Sequence, residues 1–275
     1  MLERDAVDPQ LERQFFQSLC LPNGTHKTTA ERRLQDFDNC LASLLPTGRT
    51  IHLLDVGISS GVTTLELLER LEAGGHRVTG VGIDIRVHAY LRRFLGVDFL
   101  FDDQGNILQM ATPFFARGRP EASSSTAKAQ VLRVGIATAE RILTKRWAAG
   151  STAAMPLTLV SSRLLNRRGF SVREHDINLP MAGSEETFDV IRAANVFNLA
   201  YFKPAVLRNM LHTVLGSLKQ GGLMAVVRTH GCDGSNHGTI FRKPRPGQPL
   251  QVACRVGRGS EVETLLVEGT SSLPA

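Results

Sequence analysis

Three carboxylates in this chain stand where apolar, strand-like runs end. Asp55 lies in Leu53-Leu-Asp-Val56, Asp84 closes Val78-Thr-Gly-Val-Gly-Ile-Asp84, and Asp176 lies in Glu174-His-Asp-Ile177. Directly after the first comes Gly57-Ile-Ser-Ser-Gly61, a small-residue turn from a strand into a helix. In that shape the helix N-terminus faces a ligand, and the outer glycines let backbone approach it without Cβ clashes. A dinucleotide loop requires Gly-x-Gly-x-x-Gly, whose middle glycine brings backbone against the pyrophosphate. Here Ser59 stands in that place, with an acid two residues before Gly57. The combination fits a ligand that carries a cation and no phosphate. Asp84, 29 residues after Asp55, can accept both hydroxyls of a ribose, and Asp176 suits an exocyclic amine. Any one of these acids is as well explained as a solvated strand end; together at successive strand ends they point to a nucleoside-type ligand.

The elements that must position them alternate. Strands read at Thr50–Val56, Arg77–Ile85, Phe170–Ile177, Phe188–Ala194 and Gly222–Arg228, with helical patterns at Val62–Ala73 and Lys203–Leu218. Strands alternating with helices predict a Rossmann-like, mostly parallel α/β sheet covered on both faces. Strand-like runs at Thr239–Arg242, Gln251–Val256 and Glu261–Val267 predict an antiparallel C-terminal addition. Upstream, Leu11, Phe15, Phe16 and Leu19 form one helical stripe and Leu34, Phe37, Leu41, Leu44 and Leu45 another, the second opening at Thr28-Thr-Ala-Glu31. The chain is therefore expected as one domain, with a helical extension over 1–48, a core over 50–85 and 165–275, and an insertion over 95–165. A hairpin (Val97–Phe101 with Ile107–Met110) and a helix from Ala127 to Ala149 are expected inside the insertion.

Charge concentrates near that insertion. The 275-residue chain carries a net charge of +6, yet residues 111–173 alone hold eleven basic and two acidic residues. A solvated helix face, an anionic partner, RNA and a membrane surface all remain open as explanations. Hydrophobic residues at 42% and charged residues at 21% describe a globular protein and exclude wholesale disorder, and no apolar run is long enough to span a bilayer. Met1–Asp8 is charged and lacks a signal-peptide core, so the mature chain is expected to begin there. Cys20, Cys40, Cys232 and Cys254 show no metal-ligand spacing and read as free thiols of a cytoplasmic protein; no metal site is expected.

On Leu54–Gly61, Gly82-Ile-Asp84, Glu174–Ile177, Phe188–Asn195 and Leu218–Met224 the sequence resembles the class I S-adenosylmethionine-dependent methyltransferases. Phe188–Asn195 and Leu218–Met224, with Asn195-Val-Phe-Asn198 and Tyr201-Phe202, look most like the catalytic domain of the chemotaxis-receptor methyltransferases. The resemblance covers about half the chain. It implies S-adenosyl-L-methionine as cofactor, held near Asp55, with Gly57, Ser59 and Gly61 against its methionine part. It also implies Asp84 at the ribose, Asp176 and Ile177 at the adenine, and Asn195 beside the methyl-transfer zone. Asn195 lacks the following Pro-Pro-aromatic of amide and adenine N-methyltransferases, and no receptor-binding part is recognisable, so the acceptor does not carry over. Asn195, Tyr201 and His230 are the candidate catalytic residues, with Asn198, Asp233 and His237 near them. The expected activity is methyl transfer to an O or N atom of a small molecule or protein. An RNA methyltransferase using the basic insertion, or a non-catalytic module of the same fold, are the alternatives.

Overall fold

The computed structural model describes residues 8–19, 31–112, 116–118, 126–148, 154–230, 234–245, 248 and 250–269. The chain forms two compact units, one of Met1–Thr29 and Arg86–Ser162, the other of Ala30–Ile85 and Arg163–Ala275. It opens with α1 (Pro9–Gln17), capped by the Asp8 carboxylate, which accepts the Gln10 N–H at 2.8 Å. Then come α2 (Gln35–Ser43), β1 (Thr50–Val56), α3 (Val62–Ala73) and β2 (Arg77–Asp84). The strands β3 (His88–Phe94), β4 (Val97–Phe101), β5 (Ile107–Ala111) and β6 (Ala116–Gly118) precede α4 (Ala127–Ala148) and β7 (Met155–Thr158). A single turn, α5 (Ser162–Leu165), leads to β8 (Phe170–Glu174), β9 (Phe188–Ala194), α6 (Pro204–Gly216) and β10 (Leu218–Thr229). β11 (Asn236–Arg242), β12 (Gln251–Val256) and α7 (Glu263–Gly269) complete it.

The core unit is a seven-stranded sheet in the order β12-β11-β10-β9-β1-β2-β8. β8, β2, β1, β9 and β10 are parallel, and β11 and β12 add antiparallel at the far edge. This is the mixed α/β, Rossmann-like sheet with an antiparallel C-terminal pair that the sequence predicts. Strand order reverses between β1 and β9, where Asp55 pairs with Arg192 and Val56 with Ala193. Open α/β sheets bind ligands outside the strand ends at such a reversal. One sheet face sets Leu54, Val56, Ile191, Ala193, Met224 and Val226 against Leu207, Leu211 and Val214 of α6 and Leu266 of α7. The strand period of two turns Asp55 and Arg192 to the opposite face.

The insertion unit is larger than a hairpin and a helix. Its sheet has the order β6-β5-β4-β3-β7 and is antiparallel throughout. Leu100 and Leu108 on one side pack with Phe16 and Leu19, while Phe99, Phe101 and Ile107 on the other pack with Ile136 and Leu143 of α4. The unit includes α1, whereas α2 belongs to the core, so the two helices expected as one extension serve different units. β3 escapes sequence reading because Arg92, only 5% exposed, breaks the apolar alternation of His88–Phe94. Four of the eleven basic residues counted above, Arg163, Arg167, Arg168 and Arg173, fall in the core unit.

Two further expectations are corrected, and a third falls outside the described residues. Glu261–Val267 forms no strand: Val262 and Leu266, four apart and both buried, place one side of α7 on the core. α2 begins at Gln35 without a side-chain cap, and the opening expected at Thr28 and Thr29 lies outside the described residues. Cys40 and Cys254 form a disulfide, because packing of α2 beside β12 brings together positions 214 residues apart. The pair is thus not two free thiols, and the cytoplasmic assignment loses that support; Cys20 and Cys232 lie outside the described residues. Among the described residues no helix is long and apolar enough to cross a membrane.

Non-reducing peptide mapping is expected to recover Cys40 and Cys254 in one linked species. Cys254→Ser is expected to lower unfolding free energy by about 2–4 kcal/mol in a denaturant titration; an unchanged midpoint would contradict this.

Candidate active site at the strand reversal

The turn after β1 is held in left-handed backbone at Gly57 (φ +71°), Ser59 (φ +57°) and Gly61 (φ +79°). Its amides are largely committed to the protein. Gly57 and Ile58 donate to the Ile83 carbonyl at 2.8 and 3.2 Å, Ser59 donates to Asp84 Oδ2 at 2.7 Å, and Gly61 donates to the Ile58 carbonyl at 2.8 Å. A pyrophosphate cradle needs such amides pointing at the ligand. With these four turned inward, the loop serves poorly as a phosphate grip, in line with the absent middle glycine. A Cβ on Gly57 would stand 2.3 Å from Val196 Cγ2, so the loops after β1 and β9 meet at this point.

Asp55, expected as a cofactor contact, is buried in an ion pair with Arg192. It is 1% exposed, and its two oxygens accept Arg192 Nε at 3.0 Å and Arg192 Nη2 at 2.6 Å. Nη1 of the same guanidinium donates to both oxygens of Asp38 on α2, at 3.1 and 3.0 Å. Burial works against the Arg192 charge, but Asp55 and then Asp38 outweigh it, so its pKa rises. Asp38 moves up to about 6, because burial disfavours its charge more than Arg192 favours it, and Asp55 and Glu66 add repulsion. Arg33 is lowered by burial first and by the Arg192 charge second. Sequence reasoning missed Arg192 and Asp38. The available signal was an arginine inside the apolar strand Val190-Ile-Arg-Ala-Ala194, which requires buried partners.

The other predicted residues are placed as follows. Asp84, at the end of β2, is half-buried and ties the Gly57–Gly61 turn through Ser59. Asp176 follows β8, where its Oδ1 accepts both the Asn178 backbone N–H at 2.9 Å and the Asn178 side-chain amide at 2.8 Å. Ile177 packs partly buried against the sheet core. Asn195 stands just past β9 with φ +60°, and its side-chain Oδ1 accepts the Thr229 N–H at 2.7 Å, locking β9 to β10. Buried Asn198 caps the next turn by accepting the Ala200 N–H at 2.8 Å, and Tyr201 is 67% exposed. His230 touches His237 edge to face with ring centroids 4.6 Å apart. His237 Nδ1 accepts the Arg258 N–H at 2.9 Å and is thereby occupied as an acceptor. Asp233 lies outside the described residues.

The sheet topology thus brings Gly57, Ser59, Gly61 and Asp84 to one side of the reversal and Asn195 to the other, while Asp55 lies beneath. Among the described residues no group of three or more His, Cys, Asp or Glu is placed to hold a metal ion.

The chain matches no family model and no curated protein. Among solved structures it is similar to a SAM-dependent methyltransferase from Aquifex aeolicus, at 12% identity over 83% of this chain and 77% of that one, TM-score 0.36. The CurJ carbon methyltransferase matches at 16% identity over 74% of this chain and 37% of that one, TM-score 0.35. The [4+2]-cyclase SpnF matches at 14% identity over 72% of this chain and 47% of that one, TM-score 0.32. The chain spans less than half of the length of each of the last two. Likenesses this distant assign no activity, and the fold rests on the strand order and register above.

Asp38 gives a signed pH dependence. A carboxyl whose folded pKa is raised contributes stability that is complete below its unfolded value near 3.8 and lost as pH climbs through about 6. The stability of the native chain relative to Asp38→Asn is therefore expected to fall between pH 4 and pH 6.5, by up to about 3 kcal/mol. Paired urea titrations across that window measure it, and a difference that stays flat or rises would be the contrary result. Gly57→Ala is expected to distort the turn both through its Val196 clash and through its positive φ. Adding Val196→Ala should restore only part of the lost stability, since about 1–2 kcal/mol of left-handed backbone cost stays.

Proposed function

We propose that the chain is an S-adenosylmethionine-dependent methyltransferase of the class I type, acting on an O or N atom of a small molecule or a protein side chain. The observation that supports this is the turn at the strand reversal, whose amides are already committed, beside the carboxylates of Asp84, Glu174 and Asp176 at neighbouring strand ends. The donor set fits the cofactor. Asp84 at the end of β2 is suited to a ribose diol, and Asp176 with Ile177 offers a polar and an apolar contact for adenine. Gly57, Ser59 and Gly61 leave room beside the methionine part, and a cationic ligand is favoured at an edge holding Asp84, Glu174 and Asp176. Asp55 is excluded from this set and acts from below through Arg192.

The cofactor, when bound, supplies a methyl group already activated on a sulfonium. The protein's task is then to align the acceptor for in-line attack and, for some acceptors, to take up a proton. In this reading Tyr201 and His230 flank the acceptor, and His230 is the group able to accept a proton. Asn195 shapes the site through its bond to Thr229 and acts on the reaction by position.

Isothermal titration with S-adenosylmethionine and S-adenosylhomocysteine tests the reading, with binding in the micromolar range expected. Asp84→Ala should weaken it at least tenfold; affinity equal to the native chain's would remove Asp84 from the cofactor site. Incubation with methyl-labelled cofactor and a fractionated extract should transfer label to one fraction and thereby reveal the acceptor.

A further inference from the structure

The Arg192 group lies outside the set of residues that would touch cofactor or acceptor, yet both loops of the site begin directly above it. Asp55 precedes Gly57 by two positions on β1, and Arg192 precedes Asn195 by three on β9. The two residues are register partners on adjacent parallel strands, so their side chains share one face and one height. The planar guanidinium then continues sideways to Asp38, so that helix α2, strand β1 and strand β9 converge on one rigid group. Exposure is 1% for Arg192, 3% for Asp38 and 1% for Asp55, which leaves these charges no water to replace a lost partner.

α2 is secured to the same side of the sheet by other links. Cys40, two residues beyond Asp38, is bonded to Cys254 of β12. Asn236 of β11 donates its side-chain amide to the Arg33 carbonyl and to Asp36 Oδ1, each at 2.6 Å. Its side-chain Oδ1 accepts the Thr229 hydroxyl at 2.8 Å, and Thr229 is the residue whose N–H is held by Asn195 Oδ1. A polar chain therefore runs from the start of α2 to the loop after β9, in parallel with the buried one through Arg192.

We infer that Arg192, oriented by Asp38, is a positioning residue for the cofactor site: docking of α2 sets the relative height of the β1 and β9 ends and hence the meeting of their loops. The inference rests on the cofactor reading above. Lysine cannot replace the fork, because an ammonium is a point charge and cannot hold two carboxylates in one plane. Gly57 and Val196, which nearly touch across the seam, are where a shift of one strand end against the other would be felt first.

The decisive variant is Asp38→Asn, which keeps side-chain volume and the disulfide while removing the charge that orients Arg192. Binding of S-adenosylhomocysteine is measured by titration calorimetry at 20 °C, with folded population checked by circular dichroism. The expected result is a native spectrum with affinity reduced about tenfold, and Arg192→Lys lower still. A role in stability alone would lower the unfolding midpoint and leave the affinity of the folded protein unchanged. A second readout separates the two further. The groups facing Asp38 are Arg192, Asp55, Arg33 and Glu66, and protonating Asp38 mimics the variant. The affinity ratio between native chain and Asp38→Asn should therefore be large at pH 7.5 and shrink toward one at pH 5. Native protein that fails to bind at hundreds of micromolar would overturn the cofactor reading and this inference with it. Native binding with equal affinity in a folded Asp38→Asn protein would leave the cofactor reading intact and overturn the positioning role.

Discussion

A single guanidinium buried between two carboxylates governs the arrangement of the core. Arg192 holds Asp55 through two nitrogens and Asp38 through a third, with all three side chains out of solvent. Such a group adds little to net stability compared with apolar packing, since desolvation cancels much of the attraction. Its effect is geometric. Removing one member strands charge in the interior, at a cost of about 3–5 kcal/mol, so α2, β1 and β9 are held to one alignment. The raised pKa of Asp38 expresses the same balance: two anions share one cation in a place water does not reach.

That alignment matters because strand order reverses at β1 and β9. The crevice of an open α/β sheet lies there, and its floor here is the Asp55–Arg192 register pair. Above the floor, Gly57, Ser59 and Gly61 take left-handed backbone and turn their amides toward Ile83, Asp84 and Ile58. The chain leaves the core at Ile85, immediately past Asp84, and re-enters at Arg163. The residues between them form an antiparallel sheet with its own two hydrophobic layers.

Much of this was legible in the residues. Acids at strand ends, glycines at both ends of a turn, and alternating strand and helix periods indicate the parallel sheet and its order of use. What escaped notice did so for physical reasons. Asp55 looks like a ligand contact because its partner lies 137 residues away and only the fold supplies it. Asn195 reads as a polar residue beside the site, and only the fold shows that its side-chain Oδ1 also closes the β9–β10 seam. β3 is disguised by a buried arginine, α7 by a short apolar run compatible with either period, and the Cys40–Cys254 bond by a separation that spacing rules do not cover. In each case the deciding contact is long-range, where pattern along the chain carries least information.

A nucleoside seated at the β1–β9 reversal is the reading on which the proposed site depends, and a crystal structure of the chain grown with S-adenosylhomocysteine is the measurement that decides it. The ribose hydroxyls are expected on the Asp84 carboxylate, the adenine beside Asp176 and Ile177, and the amino-acid part over Gly57–Gly61, with Asp55 still bound to Arg192. A ligand seated away from the β1–β9 reversal, or one contacting Asp55 after Arg192 has released it, would contradict it.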